Sequence, residues 1–156
     1  SLRGLDILIP KKYQVAATSH STLFNTSATD SVQNYLFFDV RSEKEYAVSH
    51  LENAIRIDPE LPAEHFIRKY GERIAGKELV FYCSVGYRSS KFIERVDSLA
   101  RQNGSLSLRN LTGGIFRWYN EKLPVFDENG ETGAVHPYDA FWGTLLVKKR
   151  EQTERK

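Results

Sequence analysis

The chain has 156 residues, 40% of them hydrophobic and 27% charged, which is the size and composition of one globular domain with its own core. Its formal net charge of +2 argues against the strongly basic face that nucleic-acid binding usually needs, and no apolar run approaches the roughly 18–20 residues of a membrane span. One cysteine and four scattered histidines exclude an internal disulfide and a thiolate-rich zinc site, so we expect neither a metal nor a cofactor.

Short apolar runs alternate with helical patterns, which is typical of an α/β fold whose parallel strands are joined by helices. In chain order the patterns predict a strand over Tyr13–Ala17, a weak helix over His20–Gln33, a strand over Tyr35–Phe38, a helix over Ser42–Val48, a strand over Ala54–Ile57 and a helix over Pro62–Ile74. Next come a strand over Leu79–Tyr82, a helix over Ser89–Gln102, a strand from Leu106 to Leu111 and a short helix after Gly113 that contains Trp118.

The domain is predicted to cover residues 1–125, with a C-terminal extension over residues 126–156. The extension begins with a polar turn over Asp127–Gly133 and continues as a helix from Tyr138 to about Lys149, with Phe141 and Trp142 on one side. We expect this helix to pack on its own domain. The alternative is that its aromatic side binds a partner protein.

The sequence contains no methionine, so we expect a processed or trimmed form. A cytoplasmic location is the first expectation. A periplasmic or organellar location would follow if an N-terminal signal has been removed.

Cys83 lies between a predicted buried strand and a predicted helix, followed by a short loop that contains Gly86 and Arg88. Sites in open α/β sheets form at the carboxyl ends of the strands. Loop amides and the N-terminus of the next helix favour an anion there, so they favour a reactive thiolate. The alternative interpretation is a small, inert core residue, which is the usual role of a free cysteine.

Four segments resemble the signature motifs of rhodanese domains, and they occur in the same order. Asp39-Val40-Arg41 with Glu45-Tyr46 resembles D-V-R-x-x-x-E-Y, and His50–Ile55 resembles G-H-I-x-G-A. Cys83–Ser89 resembles C-x-x-G-x-R-S, and Leu111–Trp118 resembles L-x-G-G-x-x-x-W. The second segment departs from the family pattern, because Ser49 and Asn53 stand where glycines are common. Residues 126–156 lie outside the resemblance.

The resemblance implies a rhodanese-like open parallel β-sheet flanked by helices on both faces, and a two-step transfer of sulfur. Cys83 would be the catalytic nucleophile that takes sulfane sulfur from a small anionic donor such as thiosulfate. Its persulfide would then pass the sulfur to a thiol or protein acceptor. The substrate-binding residues would be those of the loop, acting largely through their backbone amides. They are Ser84, Val85, Gly86, Tyr87, Arg88 and Ser89.

Arg88 has two interpretations that the sequence leaves open. It contacts the anionic donor, or it pairs with an acidic residue such as Asp39 or Glu43 and holds the loop. We expect Asp39 and Arg41 to support the site structurally, and Tyr87 to shape the entrance for the acceptor.

Two other functions remain open. Cysteine phosphatases and some arsenate reductases use related loops, but their arginine stands six positions after the cysteine and a histidine usually precedes it. Here Arg88 follows Cys83 by five positions, and the residue directly before Cys83 is Tyr82. A non-enzymatic binding, regulatory or sulfur-carrier module of the rhodanese type would retain the same residues as the enzyme.

Overall fold

The centre of the fold is a five-stranded parallel sheet, seen in a computed structural model that describes residues 14–15 and 34–138. Its strands are β1 (Gln14–Val15), β2 (Tyr35–Asp39), β3 (Ile55–Arg56), β4 (Glu78–Tyr82) and β5 (Ser107–Leu111). The strand order is β1-β5-β4-β2-β3, and each neighbouring pair is parallel. The carboxyl ends of β2, β4 and β5 therefore meet at one edge of the sheet.

Helices cover both faces of this sheet. They are α1 (Glu43–Val48), α2 (Ala63–Ile74), α3 (Tyr87–Gln102) and α4 (Gly114–Asn120). Side chains of β4 alternate between the two faces. Phe81 packs into a core that contains Phe66 of α2 and Phe92 of α3, whereas Val80 packs into a second core that contains Trp118 of α4. The open parallel sheet with helices on both faces, which the family resemblance implied, is thus confirmed.

The third helix begins two residues earlier than the sequence pattern predicts. Gly86 has φ 116° and ψ −7°, so it serves as a left-handed N-cap, and α3 starts directly after it at Tyr87. A side chain at residue 86 would be strained in this conformation. As a result Tyr87, Arg88 and Ser89 occupy the first turn of a helix, and their amides have no intrahelical acceptor.

A short antiparallel hairpin follows α4, where the sequence predicted only a polar turn. It consists of β6 (Val125–Asp127) and β7 (Gly130–Thr132), and β6 contains residues on both sides of the predicted domain boundary. Each strand has only three residues, which is too short for an alternating pattern to be recognised, and this explains why the hairpin was missed. His50 and Phe126 exchange two backbone hydrogen bonds of 2.8 Å, which attach the hairpin to the domain.

Three predicted helical or strand regions fall wholly or partly outside the described residues. They are the weak helix over His20–Gln33, the ends of the strand over Tyr13–Ala17, and the helix from Tyr138 to about Lys149 beyond its first residue. Within residues 14–15 and 34–138, no helix has the length and apolar character needed to cross a membrane.

Candidate active site

Cys83 lies at the carboxyl end of β4, at the bottom of the loop that leads into α3. Its side chain is only 1% exposed. The Sγ atom accepts a hydrogen bond from the Gly86 N–H at 3.1 Å and lies 3.4 Å from Ser89 Oγ. The thiol therefore faces donors on the inner side of its own loop, at the N-terminus of α3.

The N-terminus of α4 fixes the orientation of the first two peptide groups of the loop. The N–H groups of Ile115 and Phe116 donate to the carbonyl oxygens of Cys83 and Ser84, at 2.9 and 3.0 Å. In a trans peptide the N–H points opposite to the carbonyl. The amides of Ser84 and Val85 therefore point away from α4.

Gly114 permits this close approach between α4 and the loop. A Cβ atom at residue 114 would lie 2.5 Å from the carbonyl oxygens of both Cys83 and Ser84, and the residue has φ 61°. Only glycine fits without displacing the loop. This explains the second glycine of the Gly113-Gly114 pair in physical terms.

Five backbone amides around Cys83 have no hydrogen-bond acceptor among the described residues. They belong to Ser84, Val85, Tyr87, Arg88 and Ser89. Successive unpaired N–H groups at a helix N-terminus are the usual protein site for an anion. The Val85 side chain packs in the second core, so this residue offers only its backbone to a ligand.

Asn110 of β5 ties the loop to the sheet, and the sequence analysis missed it. Its Nδ2 donates to the Gly86 carbonyl at 2.9 Å, and its Oδ1 accepts from Ser89 Oγ at 2.6 Å. The Ser89 hydroxyl has one proton, and the shorter contact directs it to Asn110. The Gly86 amide is then the group that donates a hydrogen bond to Cys83 Sγ. The available signal was that Asn110 stands two residues after Leu108, on the face of β5 that the alternation of side chains predicts to be buried.

Arg88 is held by an acidic residue, but neither by Asp39 nor by Glu43. Its two terminal nitrogens donate to the two carboxylate oxygens of Glu45, each at 2.9 Å, and one of them also donates to Ser84 Oγ at 3.0 Å. The capping box of α1 turns Glu45 inward, and Glu43 lies on the exposed side of the helix.

The Glu45–Arg88 pair is strongly ionised. Burial alone would raise the pKa of Glu45, but the hydrogen bonds and charge of Arg88, together with hydrogen bonds from Ser42, lower it to about 2. Burial opposes the charge of Arg88, yet hydrogen bonding to Glu45 and the charges of Cys83 and Glu45 raise the pKa of Arg88. Both side chains are therefore charged, and Cys83 lies within electrostatic reach of the Arg88 guanidinium.

Asp39 and Arg41 form a fully buried pair behind the loop. Arg41 donates to both carboxylate oxygens of Asp39, at 2.8 and 2.7 Å, and to the Ser49 carbonyl at 2.6 Å. The Tyr82 hydroxyl donates to Asp39 at 2.7 Å and accepts from the Leu51 N–H at 3.0 Å. This network joins the ends of β2 and β4 to the segment after α1. The sequence analysis had assigned Tyr82 no supporting role in the site.

Two tyrosines lie at the rim of the site. Tyr87 is 51% exposed, and Lys91 Nζ lies 5.3 Å from the centre of its ring. Tyr138, in the segment after the hairpin, is 46% exposed, and its ring centre lies 4.5 Å from Arg88 Cζ. No cluster of three potential metal ligands occurs within the described part of the chain.

Comparisons with known proteins agree with this geometry. A family model described as "Rhodanese-like domain" matches residues 23–121. A relative from Staphylococcus epidermidis named tRNA uridine(34) hydroxylase is 30% identical over 108 residues, and the match covers 62% of this chain and 32% of that protein. The chain thus spans about a third of the length of this relative.

Solved structures share the fold at low sequence identity. A rhodanese-related protein from Thermoplasma volcanium has a TM-score of 0.53 and 23% identity, with 74% of this chain and 98% of that chain covered. Thiosulfate sulfurtransferase from Pseudomonas aeruginosa has a TM-score of 0.57 and 18% identity, with 76% of this chain and 20% of that chain covered.

Proposed function

Because the chain belongs to the family of rhodanese-like domains, we propose that it is a sulfurtransferase whose Cys83 carries sulfur as a persulfide. The donor is a small anion with a sulfane sulfur, and the acceptor is a thiol or a protein that presents one. Family membership supports the reaction class, and the geometry around Cys83 supports the choice of nucleophile.

The transfer proceeds in two displacements at sulfur. The Cys83 thiolate attacks the outer sulfur of thiosulfate, the bond between the two sulfur atoms of the donor breaks, and sulfite leaves with the electron pair. Cys83 then holds an anionic persulfide. An acceptor thiolate attacks the terminal sulfur, and the electron pair of the broken bond returns to Cys83. No proton transfer and no external oxidant is needed, because each step exchanges one anion for another.

The observation that carries the proposal is the set of donors around Cys83 Sγ. The Gly86 amide already donates to the sulfur, and five further loop amides have no acceptor among the described residues. Such preformed donors stabilise charge without reorganisation during the reaction. The terminal sulfur of a persulfide extends from Sγ, so it would meet these amides.

Thiosulfate is the first donor to test, since a structural neighbour from Pseudomonas aeruginosa is named thiosulfate sulfurtransferase. The relative named tRNA uridine(34) hydroxylase is about three times as long as the matched segment, so its named activity is a separate hypothesis for this chain. Phosphatase chemistry is less well supported. The edge of the Arg88 guanidinium that would bind a phosphoryl group is occupied by Glu45.

The test is intact-protein mass spectrometry after incubation with thiosulfate. We expect a gain of about 32 Da on Cys83, which cyanide removes, because the covalent mechanism stores one sulfur atom on the nucleophile. A Cys83→Ser variant is the control and should gain nothing. A wild-type chain that gains no sulfur, although Cys83 still reacts with iodoacetamide, would contradict the thiosulfate assignment. A non-enzymatic or carrier role would then follow, with persulfide donors and partner proteins tested next.

A further inference from the structure

Arg88 is the charged residue of the Cys83 loop, and 22% of its side chain is exposed. Its edge is taken by the two oxygens of Glu45. Its carbon Cζ also lies over the ring of Tyr138, 4.5 Å from the ring centre, well within the range of a cation–π interaction. The C-terminal segment thus contributes a side chain to the surroundings of Cys83.

The segment that carries Tyr138 is attached at successive points. Its hairpin exchanges backbone hydrogen bonds with His50, and the Tyr119 hydroxyl donates to the Gly133 carbonyl at 2.7 Å. Val135 packs against the second core. Tyr138 itself has φ 69°, and its N–H donates to His136 Nδ1 at 2.9 Å. A left-handed conformation is unfavourable for tyrosine and persists only when surrounding contacts compensate for it.

We propose that Tyr138 is a positioning residue of the sulfur-transfer site, which holds the Arg88 guanidinium on Glu45 and keeps its charge beside Cys83. A role of Tyr138 in sulfur transfer rests on the proposed function, but its effect on Arg88 and on the Cys83 thiolate does not depend on any sulfur donor. Glu45 binds both terminal nitrogens of the guanidinium and the ring of Tyr138 lies against it, so the cation has little freedom to turn toward water. An exposed Arg88 would be more mobile and better hydrated, and its field at Cys83 would be weaker.

Alkylation of Cys83 by iodoacetamide tests the proposal without a sulfur donor. The rate is measured against pH in the full chain, for the wild type and for Tyr138→Ala. The high-pH plateau reports access to the sulfur, and the midpoint reports the electrostatic environment of the thiolate. We expect Tyr138→Ala to raise the midpoint by about 0.3–0.7 pH unit, which lowers the rate below the midpoint about two- to five-fold.

Two further variants serve as controls. Tyr138→Phe keeps a ring on Arg88 and should restore the wild-type midpoint. Leu106→Ala removes another exposed apolar side chain, 60% accessible and not part of the loop, and should leave the profile unchanged. All these variants retain Glu45 and His136, so titration of those neighbours is common to every profile.

An unchanged midpoint in Tyr138→Ala would overturn the proposal, as would a Phe variant that fails to restore it. A change in the plateau alone would also overturn it, because Tyr138 would then act only as a cover. The outcome is separate from that of the proposed function. A chain that takes no sulfur from thiosulfate but shows the midpoint shift retains the Tyr138–Arg88 coupling and loses only the donor.

Discussion

Glu45 determines the role of Arg88 at the scale of single residues. Its carboxylate engages both terminal nitrogens of the guanidinium and also accepts from Ser84 Oγ at 3.1 Å. Both terminal nitrogens of Arg88 are thus bound to Glu45, so we propose that Arg88 acts on an anionic donor through its charge and not through two direct hydrogen bonds. Of the two interpretations that the sequence left open, the structure favours the arginine that braces the loop.

Substitution of Glu45 by Gln tests this role. We expect Glu45→Gln to lower the free energy of unfolding by about 1.5–3 kcal/mol, because a charged hydrogen-bond acceptor is lost beside a partly buried cation. The rate of persulfide formation should fall as well. Urea denaturation and mass spectrometry after incubation with thiosulfate measure the two effects. Glu43→Gln, on the exposed side of the same helix, is the matched control, and an equal loss there would contradict the assignment.

Asn53 shows how a departure from the family motif is accommodated. It has φ 62°, in a turn closed by the hydrogen bond from the Ala54 N–H to the Leu51 carbonyl at 3.1 Å. Asparagine is one of the few residues other than glycine that adopts this conformation readily. The motif therefore keeps its backbone shape although the glycine is absent.

Residue identity alone did not specify the partners in the site. The sequence motifs located Cys83, Arg88 and Glu45, but they did not show that Glu45, and not Glu43 of the same six-residue helix, is the partner of Arg88. Asn110 was missed for a similar reason, since its role depends on the parallel pairing of β5 with β4. Long-range pairing of this kind is not encoded in local patterns, and a single sequence carries no direct signal for it.

At the scale of elements, the contact between α4 and the Cys83 loop shapes the site. The first amides of α4 bind two loop carbonyls, which orients the amides on the opposite side of those peptides. The contact depends on Gly114, where a Cβ atom would lie within 2.5 Å of the carbonyl oxygens of Cys83 and Ser84. The packing of α4 thus fixes the conformation of the loop that precedes α3.

We predict that Gly114→Ala will reduce both stability and activity. The added methyl group must displace α4 or the loop, which should cost about 2–4 kcal/mol of unfolding free energy and slow persulfide formation. Gly76→Ala is the matched control. Gly76 also has a positive φ, 74°, but a Cβ there would meet nothing within 4 Å. It should cost about 1 kcal/mol and leave transfer unchanged.

Thermal or urea denaturation and the mass-spectrometric assay would be applied to both glycine variants. Equal losses of stability and of activity in the two would mean that backbone strain, and not contact with the loop, explains the need for glycine at residue 114.

The order of the elements was predictable, since the alternation of apolar runs and helical patterns predicted each of the strands β2 to β5. The early start of α3 was not, because it depends on the left-handed conformation of Gly86.

At the scale of the whole molecule, the site unites elements that are distant in the chain. Asp39 at the end of β2 lies beside Tyr82 at the end of β4, as the register of the two strands requires. The hairpin then brings the C-terminal segment to the outer side of the same edge. Charged and polar groups from residues 39–138 are therefore linked around one thiol, and the stability of the molecule depends on their ionisation.

The pH dependence of stability follows from Glu45. Its pKa is about 2 in the folded chain against an ordinary value of 4.5, so the folded state binds this proton less readily than the unfolded state does. The stabilisation is fully present above about pH 4.5 and is lost as the pH falls toward 2. The difference of about 2.5 between these pKa values corresponds to at most about 3.5 kcal/mol. Other acidic groups add their own dependence, so the wild type alone does not isolate this term.

Comparison of the wild type with Glu45→Gln isolates it, because all other groups are shared. We expect the difference in unfolding free energy between the two to be greatest near pH 6 and to shrink steadily between pH 4.5 and 2. Urea denaturation at successive pH values measures it. For Glu43→Gln the difference in unfolding free energy from the wild type should not change in this way between pH 4.5 and 2, since the Glu43 side chain is exposed. A difference between wild type and Glu45→Gln that stays constant down to pH 2 would mean that the lost contact is one of shape and packing, and that the charge of Glu45 does not stabilise the loop through Arg88.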